Sequence, residues 1–184
     1  LPEIQATKQE IELLIQPFVH VLKENPAGIL MSHARTNAID SQVPSCLSYV
    51  WVTEILRQKY NYQGIIFSDD IFMGALAKNG YPPEIAVTMA IEAGIDCIML
   101  SEKRIAKPAK ILLKKATESE DFAKKINIAV SRIINYKLQT GLLQIVEVLP
   151  NEYKIQPCDF FTENRIQEFE QIKKQNIDFY IKHF

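Results

Sequence analysis

GIIFSDDIFMGAL, Gly64 to Leu76, is the stretch on which the fold turns. Gly64, Ile65, Ile66 and Phe67 form a short unbroken apolar run led by glycine, the pattern of a strand buried on both faces. Ser68 and two adjacent carboxylates, Asp69 and Asp70, follow directly, and then a second apolar run compatible with a helix, Ile71 to Lys78. Two acids at the tip of a buried strand are costly to desolvate and repel one another. Their presence there asks for a reason.

Working outward, the same unit recurs on both sides. Upstream, residues 7–24 carry apolar positions at helical spacing: Ile11, Leu14, Ile15, Phe18, Val19 and Leu22. Thr7 and Glu10 make a capping box, Pro17 predicts a kink or break, and Asn25-Pro26 ends the helix. Residues 27–31 then read as a short strand ending in Ser32-His33. Ser48 starts a second helix with Val52, Ile55 and Leu56, which leads into the GIIF strand. Downstream, Pro82-Pro83 opens a third helix, 83–93, closed by Gly94, and Ile95 to Leu100 reads as a third strand with Ser101-Glu102 at its tip. Helix, apolar strand and polar tip repeated three times predict an α/β fold with a parallel sheet covered by helices. In such sheets all the tips leave one edge, where open α/β folds and closed (β/α)8 barrels place their chemistry.

Further on, residues 104–116 and 119–140 read as helices with Lys-rich outer faces and Gly141 as a C-cap. Residues 142–157 read as an irregular connector, and 160–182 as a last amphipathic helix with Phe161, Ile166, Phe169, Ile172, Ile177 and Ile181 on its apolar face. The chain has 184 residues, 47% hydrophobic and 23% charged, with a formal net charge of -1. That balance gives no sign of a nucleic-acid partner. No apolar run approaches the roughly 20 residues of a membrane-spanning helix. No signal peptide is visible, but the chain starts at Leu1, so a preceding segment is expected and the compartment, cytoplasmic or extracytoplasmic, stays open. Cys46, Cys97 and Cys158 are too few and too scattered for a disulfide framework or a zinc ribbon, and are expected as buried thiols.

Several chemistries compete for the strand tips. Ser and Asp after a strand commonly cap the next helix, His33 at a strand end suits a hydrogen-bonded structural residue, and Arg35 and Glu102 suit a solvated loop residue and another cap. Paired acids also suit a Mg²⁺ site for phosphoryl transfer, although that class needs a further acid and a lysine on neighbouring tips. Three strands do not close a barrel, which typically takes about 250 residues. The chain is either a small open sheet or the terminal part of something larger.

At this point the residues carry a family resemblance. ILRQKYNYQGIIFSDD, Ile55 to Asp70, resembles the signature of family 3 glycoside hydrolases: aliphatics, Arg57, Lys59, Gly64, three apolar residues, Ser68 and Asp69. The form Ser68-Asp69-Asp70-Ile71-Phe72-Met73 is similar to the β-N-acetylhexosaminidase branch; β-glucosidases usually have Trp where this chain has Asp70. ILMSHARTNAIDSQVPSCLS (29–48), AIEAGIDCIML (90–100) and INIAVSRIINYKLQTGLL (126–143) resemble further family segments. Phe72 departs from the family's small or polar residue, and the family's KHFPGHG and Asp-x-His segments have no counterpart here.

The resemblance implies the C-terminal part, about three βα units, of a (β/α)8 TIM barrel over residues 1–143. A C-terminal extension with an amphipathic helix, 144–184, follows. It implies a retaining exo-acting hydrolase of terminal β-linked N-acetylglucosamine, in carbohydrate metabolism such as cell-wall recycling. Asp69 would be the catalytic nucleophile, and His33, Asp70 and Met73 would be substrate-binding or supporting residues. Neither a metal nor a cofactor is expected. The partners would be an N-acetylglucosamine-containing glycan and the missing N-terminal barrel portion, in the same gene product or as a separate chain. Without that portion, which carries the acid/base, the chain is expected to be inactive. A non-catalytic relative with a binding or structural role is the alternative reading.

Overall fold

The computed structural model describes residues 1–101 and 104–158, together with Gln167, Glu170, Gln171 and Lys174. The chain divides within its longest helix into two compact units, Leu1–Ile133 and Ile134–Phe184.

In the first unit the elements run β1 (Glu3–Ile4), α1 (Lys8–Leu14), α2 (Gln16–Leu22), β2 (Gly28–Met31), β3 (Arg35–Thr36), a 3₁₀ turn (Ser45–Leu47) and a π-wound helix (Val50–Lys59). Then follow β4 (Ile65–Ser68), α3 (Gly74–Lys78), α4 (Pro83–Ala93), α5 (Ala106–Glu118) and the greater part of α6 (Glu120–Gln139). The strands expected at 27–31 and 64–67 are β2 and β4. They pair in parallel, Gly28 opposite Ile65 through Met31 opposite Ser68. β1 and β3 form a separate two-residue parallel pair. The α/β character with parallel pairing is as the sequence predicts, but the described sheets have two strands each and do not themselves trace a barrel.

The third expected strand is reduced to one parallel bridge, Phe67 opposite Cys97. The cause is local. The N–H groups of Asp96 and Cys97 both donate to the Ile66 carbonyl, at 2.9 and 3.1 Å, so two residues oppose one and the ladder loses its alternation. Beyond them, Met99 N–H donates to the Ser68 hydroxyl instead of a backbone carbonyl (3.0 Å). The segment still lies alongside β4, because Ser68 N–H reaches the Cys97 carbonyl at 3.0 Å.

The break expected at Pro17 separates α1 from α2, with Pro17 in the first turn of α2, where its missing N–H costs nothing. The Thr7–Glu10 capping box is formed in both directions. Ser48 accepts from Trp51 N–H at 3.2 Å, as a cap would, but the helix it starts winds as π: Tyr60 N–H reaches back five residues to Ile55. α4 ends as expected at Gly94, whose φ of 104° favours glycine.

Ile66, Ile71, Leu76, Val52, Val87 and Ile95 are fully buried between β4 and the helices. Each contributes roughly 1.5–3 kcal/mol of apolar transfer. The α1–α2 face is different from expectation. Only Ile11 of its six apolar residues is buried, and Phe18 is 72% exposed. Leu14, Ile15, Phe18, Val19 and Leu22 instead line, with Leu30 of β2, an apolar groove of about 730 Å³.

In the second unit, the stretch expected as an irregular connector is an antiparallel hairpin, β5 (Leu143–Leu149) and β6 (Glu152–Pro157). Its tip is Pro150-Asn151, with Asn151 at φ 66°, a residue that tolerates the left-handed region. The Ile, Val and Tyr of this segment suit a pleated surface, and that pattern outweighs the two prolines that argued for a loop. Gly141 caps α6 with φ 71°. The expected helix 160–182 lies outside the described residues except for Gln167, Glu170, Gln171 and Lys174, which are helical.

Candidate active site

Asp69 follows β4 directly and extends its ladder by one rung, its N–H donating to the Met31 carbonyl at 3.0 Å. Its side chain is 29% exposed, and it lies at the strand edge rather than among the residues lining the apolar groove. The capping role proposed for the acids does not hold as expected. The helix begins at Gly74, three residues later than the sequence suggested, and Met73 at its start makes no side-chain cap. Among the described residues, Asp69 Oδ1 accepts only the next residue's N–H, at 2.8 Å, and no helix end claims this carboxylate.

Asp70 is committed to the architecture. Its Oδ1 accepts from Phe72 N–H and Ser101 N–H, both at 3.0 Å, and ties the β4 tip to the segment after Met99. Burial pushes its carboxyl upward, but the hydrogen bonds from Ser101 and Phe72 outweigh it and hold the group below the ordinary carboxylate range. Met73 is exposed at the start of α3. Phe72, where the family pattern expects a smaller residue, packs half-buried against the core.

His33 leaves the β2 tip and is 4% exposed. Its Nε2 lies 3.0 Å from the Asp70 carbonyl and 4.0 Å from Asp69 Oδ2, and its Nδ1 lies 3.0 Å from Cys46 Sγ. The structure therefore brings His33, Asp69 and Asp70 together at one edge; Met73, at the start of the following helix, joins them through its N–H, which donates to the Asp70 carbonyl at 3.1 Å. Glu102 lies outside the described residues. Arg35, expected as a solvated loop residue, is half-buried and pairs with Glu3 at 3.4 Å. Cys46 is buried and Cys97 and Cys158 are half-buried, with no disulfide between them. Among the described residues no three His, Cys, Asp or Glu side chains converge as a metal site would require.

One cluster was not expected. The Asp96 carboxylate, wholly buried, accepts from Arg57 Nη2, from Arg132 Nη1 at 2.9 Å and from Ile66 N–H at 2.8 Å. Arg57 also donates to the Tyr62 and Gly64 carbonyls at 2.7 and 2.8 Å. The basic residue of the sequence signature is thus a clamp on the entry to β4. An acid within the apolar run Ile95 to Leu100 was the available signal for its partner. Gly64 is needed because an added Cβ would lie 2.6 Å from the Pro26 carbonyl and 2.2 Å from the Tyr62 hydroxyl.

Residues 1–136 match the family described as the glycosyl hydrolase family 3 N terminal domain. A "Beta-hexosaminidase" of Methylococcus capsulatus is 36% identical over 104 residues, covering 54% of this chain and 30% of that protein. One of Haemophilus influenzae is 37% identical over 105 residues, 56% of this chain and 29% of that protein. The chain therefore spans about 30% of the length of these curated relatives. The crystal structure of a β-N-acetylhexosaminidase from Beutenbergia cavernae superposes with a TM-score of 0.63 at 26% identity, over 67% of this chain and 37% of that one. A family 3 β-N-acetylglucosaminidase from Paenibacillus matches 94% of this chain and 32% of that one, with a TM-score of 0.69 at 21% identity, a likeness of fold.

Proposed function

This chain belongs to glycosyl hydrolase family 3, matching its N-terminal domain, and from that premise we propose that it is the C-terminal part of the (β/α)8 barrel of a retaining exo-β-N-acetylhexosaminidase. The observation that carries the reading is Asp69: a carboxylate at the tip of a parallel strand, beside a buried histidine, and used by no helix cap. Its substrate is a glycan ending in β-linked N-acetylglucosamine, a reading supported by the chain's likeness to a β-N-acetylhexosaminidase. An Asp69 oxygen attacks the anomeric carbon and forms a glycosyl ester as the bond to the departing sugar oxygen breaks; that oxygen takes a proton from an acid outside this chain. Water then attacks the anomeric carbon, its bond to the Asp69 oxygen breaking, gives its proton to the same group, and frees the sugar and the carboxylate.

The remaining barrel strands and the acid/base belong to an N-terminal portion of the longer protein, and the barrel part ends at residue 143. Two features support this. β2 pairs with β4 along one edge only among the described residues, and the apolar groove beside it exposes Phe18, Leu14 and Leu30. An uncovered apolar face next to an open parallel edge suits further strands and helices of the same fold. Residues 1–184 by themselves are inactive on this reading.

The test is turnover of a chromogenic β-N-acetylglucosaminide by the longer protein and its Asp69→Asn variant. Removing a nucleophile should lower kcat by roughly 10³-fold or more, because members of one catalytic unit carry on the order of 10⁴–10⁶. A variant keeping a tenth of the activity ends the proposal. A 2-fluoro glycoside should label the protein at Asp69.

A further inference from the structure

Cys46 has no part in the mechanism above, yet it is fully buried, with its sulfur 3.0 Å from His33 Nδ1. It sits in the 3₁₀ turn Ser45–Leu47, which is fastened to the segment after β2. Cys46 N–H donates to the Ser32 carbonyl at 3.0 Å, and Ser45 donates to the Ala34 carbonyl through both its N–H (2.9 Å) and its hydroxyl (2.7 Å). The thiol is therefore held against the ring from one side while the β4 tip meets it from the other.

We propose that the Cys46 thiol is a positioning group for the carboxylate at the β4 tip: it donates to His33 Nδ1 and so fixes the ring in the tautomer that turns Nε2–H toward the Asp70 carbonyl and Asp69. This deepens the reading of Asp69 as nucleophile and rests on it. The Asp70 carbonyl only accepts, so Nε2 at 3.0 Å must carry the hydrogen. In a neutral ring Nδ1 is then a lone pair, and a buried lone pair needs a donor. The thiol supplies it. The reverse tautomer would set the Nε2 lone pair against a carbonyl oxygen and, 4.0 Å away, against the Asp69 carboxylate.

A thiolate–imidazolium pair, as in cysteine nucleophiles, would invert these roles. The surroundings oppose it: burial first, and the Asp69 carboxylate second, push the thiol up to about 12, so it keeps its proton. The result is a line of dipoles, S–H to Nδ1 and Nε2–H toward the charge. At 4.0 Å the Nε2–H edge faces Asp69 without binding it tightly, so the carboxylate meets a favourable dipole yet stays available to a sugar ring.

The test uses the longer protein labelled with ¹⁵N-histidine, the His33 ring signals being assigned by their loss in His33→Asn. The expected wild-type ring has Nε2 protonated and Nδ1 bare; a ring protonated at Nδ1 overturns the proposal without any variant. Cys46→Val removes the donor and leaves an apolar side chain about one methyl larger. Its kcat should fall about tenfold with KM within about twofold, the loss expected from a carboxylate displaced by a fraction of an ångström. Cys46→Ser restores a donor and should recover activity to within about threefold. A Val variant with wild-type kcat and the same single tautomer, or a Ser variant no better than Val, overturns it. The ring state is read without turnover, so its failure is separate from that of the parent reading, which an active Asp69→Asn decides.

Discussion

Replacing Asp96 by Asn tests the buried clamp on which the β4 tip rests. The side chain of Asp96 is wholly buried and joins three donors: Arg57, whose side chain is 10% exposed, Arg132, 33% exposed, and the buried N–H of Ile66. Asparagine has the same shape, but it removes the charge and turns an NH₂ group toward a guanidinium. Arg132 can recover much of its hydration by moving outward. Arg57 cannot, since its Nη1 is held by the Tyr62 and Gly64 carbonyls and its Nε is buried, with no partner among the described residues. Burial already lowers the Arg57 pKa, with Asp96 opposing that shift. Without Asp96 the largest influence opposing that shift is gone, while the neighbouring Arg132 charge still adds to it. Stranding one buried partner of an ion pair costs about 3–5 kcal/mol, a large share of a typical domain stability of about 5–15 kcal/mol. Arg132→Ala, at a wetter position, should cost under about 1 kcal/mol. Urea unfolding followed by far-UV circular dichroism reads both. An Asp96→Asn protein within about 1 kcal/mol of the parent, or an Arg132→Ala protein equally weakened, refutes the assignment of the load to Arg57.

Other outcomes follow from the same contacts. Gly64→Ala drives a methyl onto the Pro26 carbonyl and the Tyr62 hydroxyl, and should cost about 1–3 kcal/mol of stability by thermal or urea unfolding, as overpacking does. The Asp70 carboxyl is held below its ordinary range. It therefore contributes stability that is fully present above the unfolded value of about 3.9 and is lost as pH falls through the lower folded value. Asp70→Asn should flatten that acid limb in a pH series of unfolding midpoints while leaving the β4 register unchanged. Thr7→Ala removes the capping box at α1 and should cost about 1 kcal/mol, seen as faster amide exchange in the first turn.

The amino-acid order by itself determined the parts whose causes are local. Three Gly-led or Gly-bounded apolar runs between amphipathic stretches marked β2, β4 and the Cys97 segment, because unbroken short apolar runs survive only where both faces are covered. Thr7 with Glu10, Pro82-Pro83 and Gly94 marked helix ends through caps and backbone preferences that act within one turn. Asp69 stood out because an acid directly after such a run is expensive and needs a purpose. The tertiary structure decided what depends on partners distant along the chain. Asp96 meets Arg57 and Arg132, 39 and 36 residues away, and this pairing explains how an acid can lie inside an apolar run. The two N–H groups sharing one carbonyl reduced the third strand to a bridge, a matter of register that apolar pattern does not encode. Asp70 became a brace and Asp69 remained uncommitted for a similar reason: Ser101 arrives from another strand tip, and only its arrival distinguishes two identical neighbouring side chains.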